Sequence, residues 1–165
     1  MKYIIVTLLI VINIASAQNI SYTINENPNL RTIKENKPFS SDIIKGKTFL
    51  VNYVDPDERE LNKAFMRELE KFNKGQIGSI AIINLAATWL PNSLIEGELR
   101  KSQKAHPTTI YVKDYKKVLV KKWELKDDDY NTLIFDKNQK LLFRAHGKLN
   151  AKQQAEIKRI LGAKK

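Results

Sequence analysis

Two apolar runs, each followed by a helix-start signal, constrain the fold of this chain more than any other feature. Gly46-Lys47 opens the first run, Thr48 to Tyr53, which carries Phe49, Leu50 and Val51 in succession. A run without polar alternation predicts a strand buried on both faces, the environment of a parallel sheet. Asp55-Pro56-Asp57-Glu58 comes next. An acid at the N-cap, Pro at the first helical position and an acid completing a capping box predict a helix start there. The helix is expected to reach about Asn73, with Leu61, Phe65, Leu69 and Phe72 on one face, and to stop at Lys74-Gly75. Ser79 to Leu85 reads as the second buried strand. Strands joined through a helix imply parallel pairing.

The remaining elements are read in the same way. Pro91 and the Ser93-x-x-Glu96 box predict a helix to about Lys104, softened by Gly97. Thr108–Lys113 and Val118–Trp123, joined by a turn at Asp114-Tyr115-Lys116, predict an inserted β-hairpin. A second hairpin pairs Asn131–Phe135 with Lys140–Ala145 across Asp136-Lys137-Asn138-Gln139, and Gly147 ends it. Asn150 with Gln153 caps a last helix carrying Ile157, Ile160 and Leu161. Residues 18–40 are polar, with Pro28 and Pro38, and predict an N-terminal segment with one short strand at Ile20–Ile24. Residues 41–165 form the expected domain. The fold class is α/β, a mixed central sheet flanked by helices.

The N-terminus reads as an address. Lys2 precedes an apolar stretch from Tyr3 to Ile14, and Ala15-Ser16-Ala17 supplies a small-x-small cleavage signal. This is the pattern of a secretory signal peptide, with cleavage expected after Ala17. The stretch is shorter than a spanning helix needs. No Cys follows the small residues, so lipid attachment there is not expected. The expected location is periplasmic, with membrane association only through the signal peptide before cleavage.

Composition matters at two points. The chain has no Cys, so it holds no thiol nucleophile, disulfide or Cys-ligated metal. It also carries 29 Lys+Arg against 18 Asp+Glu. In an exported chain that excess predicts an acidic envelope partner or simple solubility, and no nucleic acid. Residues 18–57 are balanced, so the surplus lies beyond Glu58.

The strand running into a helix start, and the late hairpin before the last helix, resemble a thioredoxin-like fold. More closely, the chain resembles the YtfJ family of small exported proteins. Gly46-Lys47, Trp123-x-Leu125, Asp136-Lys137-Asn138 and Gly147-x-Leu149 carry that resemblance, which spans about residues 44–162. It implies a thioredoxin-like domain in which Asp55, Pro56, Asp57 and Glu58 stand where redox members place C-x-x-C. It also implies that Tyr130-Asn131, before Thr132, stands where redox members carry a cis-proline. Thiol–disulfide exchange is excluded on the chemistry, because carboxylates do not exchange disulfides.

Each remaining candidate has a plainer alternative. Asp55, Asp57 and Glu58 suit a cation or acid–base chemistry, but helix capping also explains their spacing. Asp127-Asp128-Asp129 suits Ca²⁺, but the three lack the alternation and Gly of an EF-hand loop and read more simply as a solvated loop. His106 and His146, the only imidazoles, lie in loop-like settings without a G-x-S-x-G or H-E-x-x-H partner. Lys113, Lys116, Lys117, Lys121, Lys122 and Lys126 straddle the expected inserted hairpin around Trp123. They predict either a basic strip with an aromatic anchor, centred on Lys117, Lys121, Lys122 and Trp123, or a charged edge that resists strand pairing. Trp89 follows the second core strand, at a strand end where such folds place ligand-facing residues, or packs on the core.

The expected function is that of a non-catalytic binding or adaptor protein, without cofactor or metal, whose partner is an envelope or periplasmic protein of acidic character. The alternatives are a metal-assisted or hydrolytic enzyme using the His and acidic loop residues, and an envelope-surface protein binding through the basic hairpin.

Overall fold

The computed structural model describes residues 20–72 and 77–162, with the side chain of Phe72 excepted. The expected signal peptide and the helix stop at Lys74-Gly75 lie outside the described residues.

Seven strands form one mixed sheet: β1 (Asn27–Thr32), β2 (Pro38–Phe39), β3 (Phe49–Val54), β4 (Gly78–Asn84), β5 (Thr109–Asp114), β6 (Tyr130–Phe135) and β7 (Leu141–His146). Their spatial order is β2-β1-β5-β4-β3-β6-β7. β3, β4 and β5 run parallel, and β1, β6 and β7 are added antiparallel. The helices are α1 (Lys63–Phe72), α2 (Asn92–Ala105), α3 (Val118–Lys122) and α4 (Ala151–Ile160). The expected buried strands are β3 and β4, and every residue of β3 is buried. The late hairpin is β6–β7, and the Asn150–Gln153 capping box is formed in full.

Alternation along the strands divides the core between two faces. Val51, Tyr53, Ile80, Ile82, Val112, Leu133 and Phe135 face one side, under α3 and the N-terminal segment. Leu50 and Ile134 face the other, under Phe65 and Leu69 of α1 and Ile157 of α4. On this second side α2 packs Ile95 and Leu99 over Leu85 at the β4 end. A cleft between α1 and α2 leaves part of the sheet face uncovered.

Three local expectations are corrected. The strand at Ile20–Ile24 is absent, because the Ile24 N–H donates to Ser41 Oγ (2.8 Å) instead of a ladder. The N-terminal segment instead supplies the edge strand β2 and its neighbour β1, which joins β5 through Leu30↔Asp114. The inserted β-hairpin is also absent. Val118–Trp123 does not extend; it folds as α3, because the Asp114 carboxylate accepts the N–H groups of Lys116, Val118 and Leu119. Leu119 and Trp123, four residues apart, then enter the core together. Packing of that pair overrides the strand preference of the two valines. Finally, the Ser93–Glu96 box is not made. Pro91 is the N-cap, and Glu96 instead accepts from the Tyr115 hydroxyl (2.7 Å) and pairs with buried Lys113 (3.3 Å).

Candidate functional site

The parallel strands β3, β4 and β5 end on the same edge of the sheet, where α/β sheets place their sites. The register Val54↔Tyr130 brings the end of β3 against the start of β6. The residues just outside that pair, Asp55 and Asp129, therefore meet, and the Asp55 N–H donates to the Asp129 carbonyl at 3.3 Å. The two acidic segments, 72 positions apart in sequence, share one corner.

Asp55 is the anomalous residue of that corner. It sits at the N-cap position of a short 3₁₀ turn, Pro56–Glu58, but its side chain caps nothing. The expected Asp55–Glu58 capping box is not formed, because the carboxylate turns toward the loop before β6. Its side chain is only 3% exposed, and neither oxygen accepts a hydrogen bond. Burial pushes its pKa up to about 6, and the charges of Asp127 and Asp128 add to the rise. Asn84, at the end of β4, faces this carboxylate and favours its charged form. Its amide Nδ2 is buried and makes no hydrogen bond of normal geometry, while its Oδ1 accepts from the Ala86 N–H. One carboxylate oxygen each from Asp55, Asp127 and Asp128 lies within 4.8 Å of the others. Lys117 Nζ pairs with Asp127 (2.8 Å) and more loosely with Asp128 (3.6 Å), and the bond to Asp127 raises its pKa.

The other candidates divide. Pro56, Asp57 and Glu58 form the 3₁₀ turn, with Asp57 at the surface. Tyr130 and Asn131 are buried at the start of β6. Burial raises the pKa of the Tyr130 hydroxyl, and Asn131 closes the acidic loop through two bonds to Lys126 (2.9 and 2.8 Å). Trp89 is 88% exposed in the loop after β4. The basic strip is not continuous: Lys113 is buried against Glu96 and Lys117 is held by the acidic corner. Lys121 and Lys122 stay exposed at the end of α3. Trp123 is 0% exposed and packs within 5.8 Å of Tyr22 and Phe135, so it belongs to the core and anchors nothing at the surface. His106 pairs with Glu70 and His146 with Asp129. His106 precedes β5 and His146 ends β7, four strand spacings or about 19 Å across the sheet, so no site uses both.

A family model described as a bacterial protein of unknown function (YtfJ_HI0045) matches residues 11–164. The chain belongs to this family. The YtfJ match covers every element described above. No curated protein matches the chain in sequence. Solved structures do match in fold. The exposed lipoprotein thioredoxin of Streptococcus pneumoniae superimposes with a TM-score of 0.58 at 13% identity, covering 82% of this chain and 97% of that one. A secreted disulfide oxidoreductase of Mycobacterium tuberculosis gives 0.54 at 11% identity, covering 81% and 93%. StoA of Bacillus subtilis gives 0.52 at 13% identity, covering 81% and 99%. The fold of this YtfJ-family chain is thioredoxin-like, and it contains no cysteine.

Sequence reasoning missed Asn84, whose place at a strand end before Leu85-Ala86-Ala87 was its only signal. It also missed the cleft between α1 and α2. The outer part of that cleft, about 760 Å³, is lined by Val54, Pro56, Asp57, Leu90, Leu94 and Tyr130.

Proposed function

We propose that this chain is an exported protein that uses a thioredoxin-like scaffold for binding, with no thiol chemistry. The observation that carries the reading is the open cleft beside the Asp55-Pro56-Asp57-Glu58 turn. It lies at the edge where the fold presents its functional residues, and no cysteine stands there. Trp89, Leu90 and Leu94 leave an exposed apolar patch at that end of the chain's second face, and such patches mark interaction surfaces. Asp57, Arg59, Glu60, Lys63 and Glu98 give the cleft walls both signs of charge. The partner is an envelope or periplasmic protein; Lys121 and Lys122, on α3 across the sheet from the cleft, would offer an acidic segment a separate contact. Export rests on the Lys2 to Ala17 pattern and agrees with the exposed and secreted character of two fold neighbours. The histidine-based hydrolytic alternative loses support because His106 and His146 do not converge.

The test is cell fractionation together with photo-crosslinking from residue 94. Recovery of a chain beginning at Gln18 in the periplasm, with a discrete adduct from position 94 and none from Lys152 on α4, supports the proposal. A chain retained in the cytoplasm with its N-terminus intact, or equal adducts from both positions, overturns it.

A further inference from the structure

We propose that Asp55, Asp127 and Asp128 together hold one hard divalent cation of the calcium class at the edge of the sheet. The site is independent of the binding role proposed above. Neither acidic segment makes it alone: Asp55 comes from the end of β3, and Asp127 and Asp128 come from the loop before β6. Strand register brings them together, so that one oxygen from each lies within 4.8 Å of the other two. Oxygen ligands on opposite sides of Ca²⁺ stand about 4.6–5.2 Å apart, against about 4.0–4.2 Å on Mg²⁺. The three oxygens therefore fit one Ca²⁺ shell with little movement.

A second observation points to a ligand. Asp55 is 3% exposed, and neither of its oxygens has a hydrogen-bond partner. A buried carboxylate whose one facing donor, Asn84 Nδ2, makes no bond of normal geometry is costly, and its place in the cluster leaves a cation as its natural counterpart. Lys117 does not serve that purpose, because its ion pairs are with Asp127 and Asp128 and none reaches Asp55. Three carboxylates against one ammonium leave the corner two negative charges in excess. Asn84 Nδ2, buried and unpaired beside Asp55, is placed to orient that carboxylate, as outer-shell donors do in metal sites. Water would complete the shell, and Lys117, a quarter exposed at its side chain, would swing outward to admit the ion.

The test is isothermal titration of the purified, chelator-stripped protein with CaCl₂. Saturable one-site binding is expected with a Kd of about 10⁻⁴–10⁻³ M, the range of extracellular calcium modules. Asp55→Asn and Asp127→Asn should each weaken it at least about tenfold, a loss expected when a charged ligand goes. Glu156→Gln, on α4 and away from the corner, should not change it. Asp55→Asn removes an unpaired buried charge, so it is the variant that retains the fold, and thermal unfolding checks that it does. Absence of saturable binding up to about 10 mM, equal binding by wild type and Asp55→Asn, equal loss in Glu156→Gln, or Mg²⁺ binding as tight as Ca²⁺ overturns the assignment.

Discussion

Asn62 grips the turn before α4 from a point 87 residues earlier: the Leu149 N–H donates to Asn62 Oδ1 at 2.9 Å. Asn62 Nδ2 in turn donates to the Gly147 carbonyl at 2.9 Å. Leu149 is buried and Gly147 half-buried, so truncation strands a donor away from water and an acceptor partly so. Asn62→Ala should lower stability by about 1–3 kcal/mol, the cost of one buried group and one half-buried group left unpaired. Urea denaturation measures it. A loss below about 0.5 kcal/mol, typical of surface positions, would show that the grip is incidental.

Asp114 organises α3 in a similar way. Its carboxylate accepts the N–H groups of Lys116 (3.1 Å), Val118 (2.9 Å) and Leu119 (3.0 Å), and the Tyr53 hydroxyl donates to it at 3.2 Å. Asp114→Ala should cost about 3–4 kcal/mol, since bonds to a charged acceptor are strong and four donors lose their partner. Asp114→Asn keeps an acceptor oxygen and should lose less. In a Trp89→Phe background, Trp123 is the sole tryptophan, and its emission should shift red in Asp114→Ala as α3 loosens. An unchanged spectrum and unchanged unfolding midpoint would remove Asp114 from this role.

The same residues show what was legible in advance. Elements set by local signals read correctly: β3 from its unbroken apolar run, α4 from Asn150 and Gln153, and the β6–β7 hairpin from its turn. Elements decided at long range did not. Val118-Leu119-Val120 looks extended until Asp114 is known to cap it and the core to receive Trp123. Asp55 looked like a helix cap, and Asp127-Asp128 looked like a solvated loop. Each reading was reasonable within its own segment. The corner exists only because β3 and β6 pair in the register Val54↔Tyr130, which neither segment encodes by itself. Lys113 is a parallel case, since its neutralising acid, Glu96, lies on another element.

Gly78 opens β4 directly against the Phe49 ring. A Cβ built there would overlap three ring atoms of Phe49, and Phe49 is buried on the neighbouring strand. Gly78→Ala should therefore destabilise the protein by about 1–3 kcal/mol, the usual cost of overpacking. The paired change Gly78→Ala with Phe49→Leu should recover part of that loss, because the obstructing ring is gone. Thermal unfolding of the single and double variants measures the coupling. If the double variant is destabilised by the full sum of the two singles, the clash is not the cause.

Asp55 carries a pH signature whose sign follows from its burial. Its pKa rises from the ordinary value of 3.8 to about 6 in the folded chain, chiefly because burial disfavours the charge. Between those values the native state binds more protons than the unfolded state, so stability falls as pH rises. Below about pH 4 the group is protonated in both states and carries no penalty; above about pH 6 the penalty is complete. Asp55→Asn removes the titrating group. In chelator, the variant should match wild type near pH 4 and exceed it by about 2–3 kcal/mol at pH 7.5, the free-energy equivalent of that pKa rise. Urea unfolding at the two pH values reads the difference directly. A gain of equal size at both pH values would assign the effect to packing at the site, and a loss at pH 7.5 would mean that the charged carboxylate has a stabilising partner.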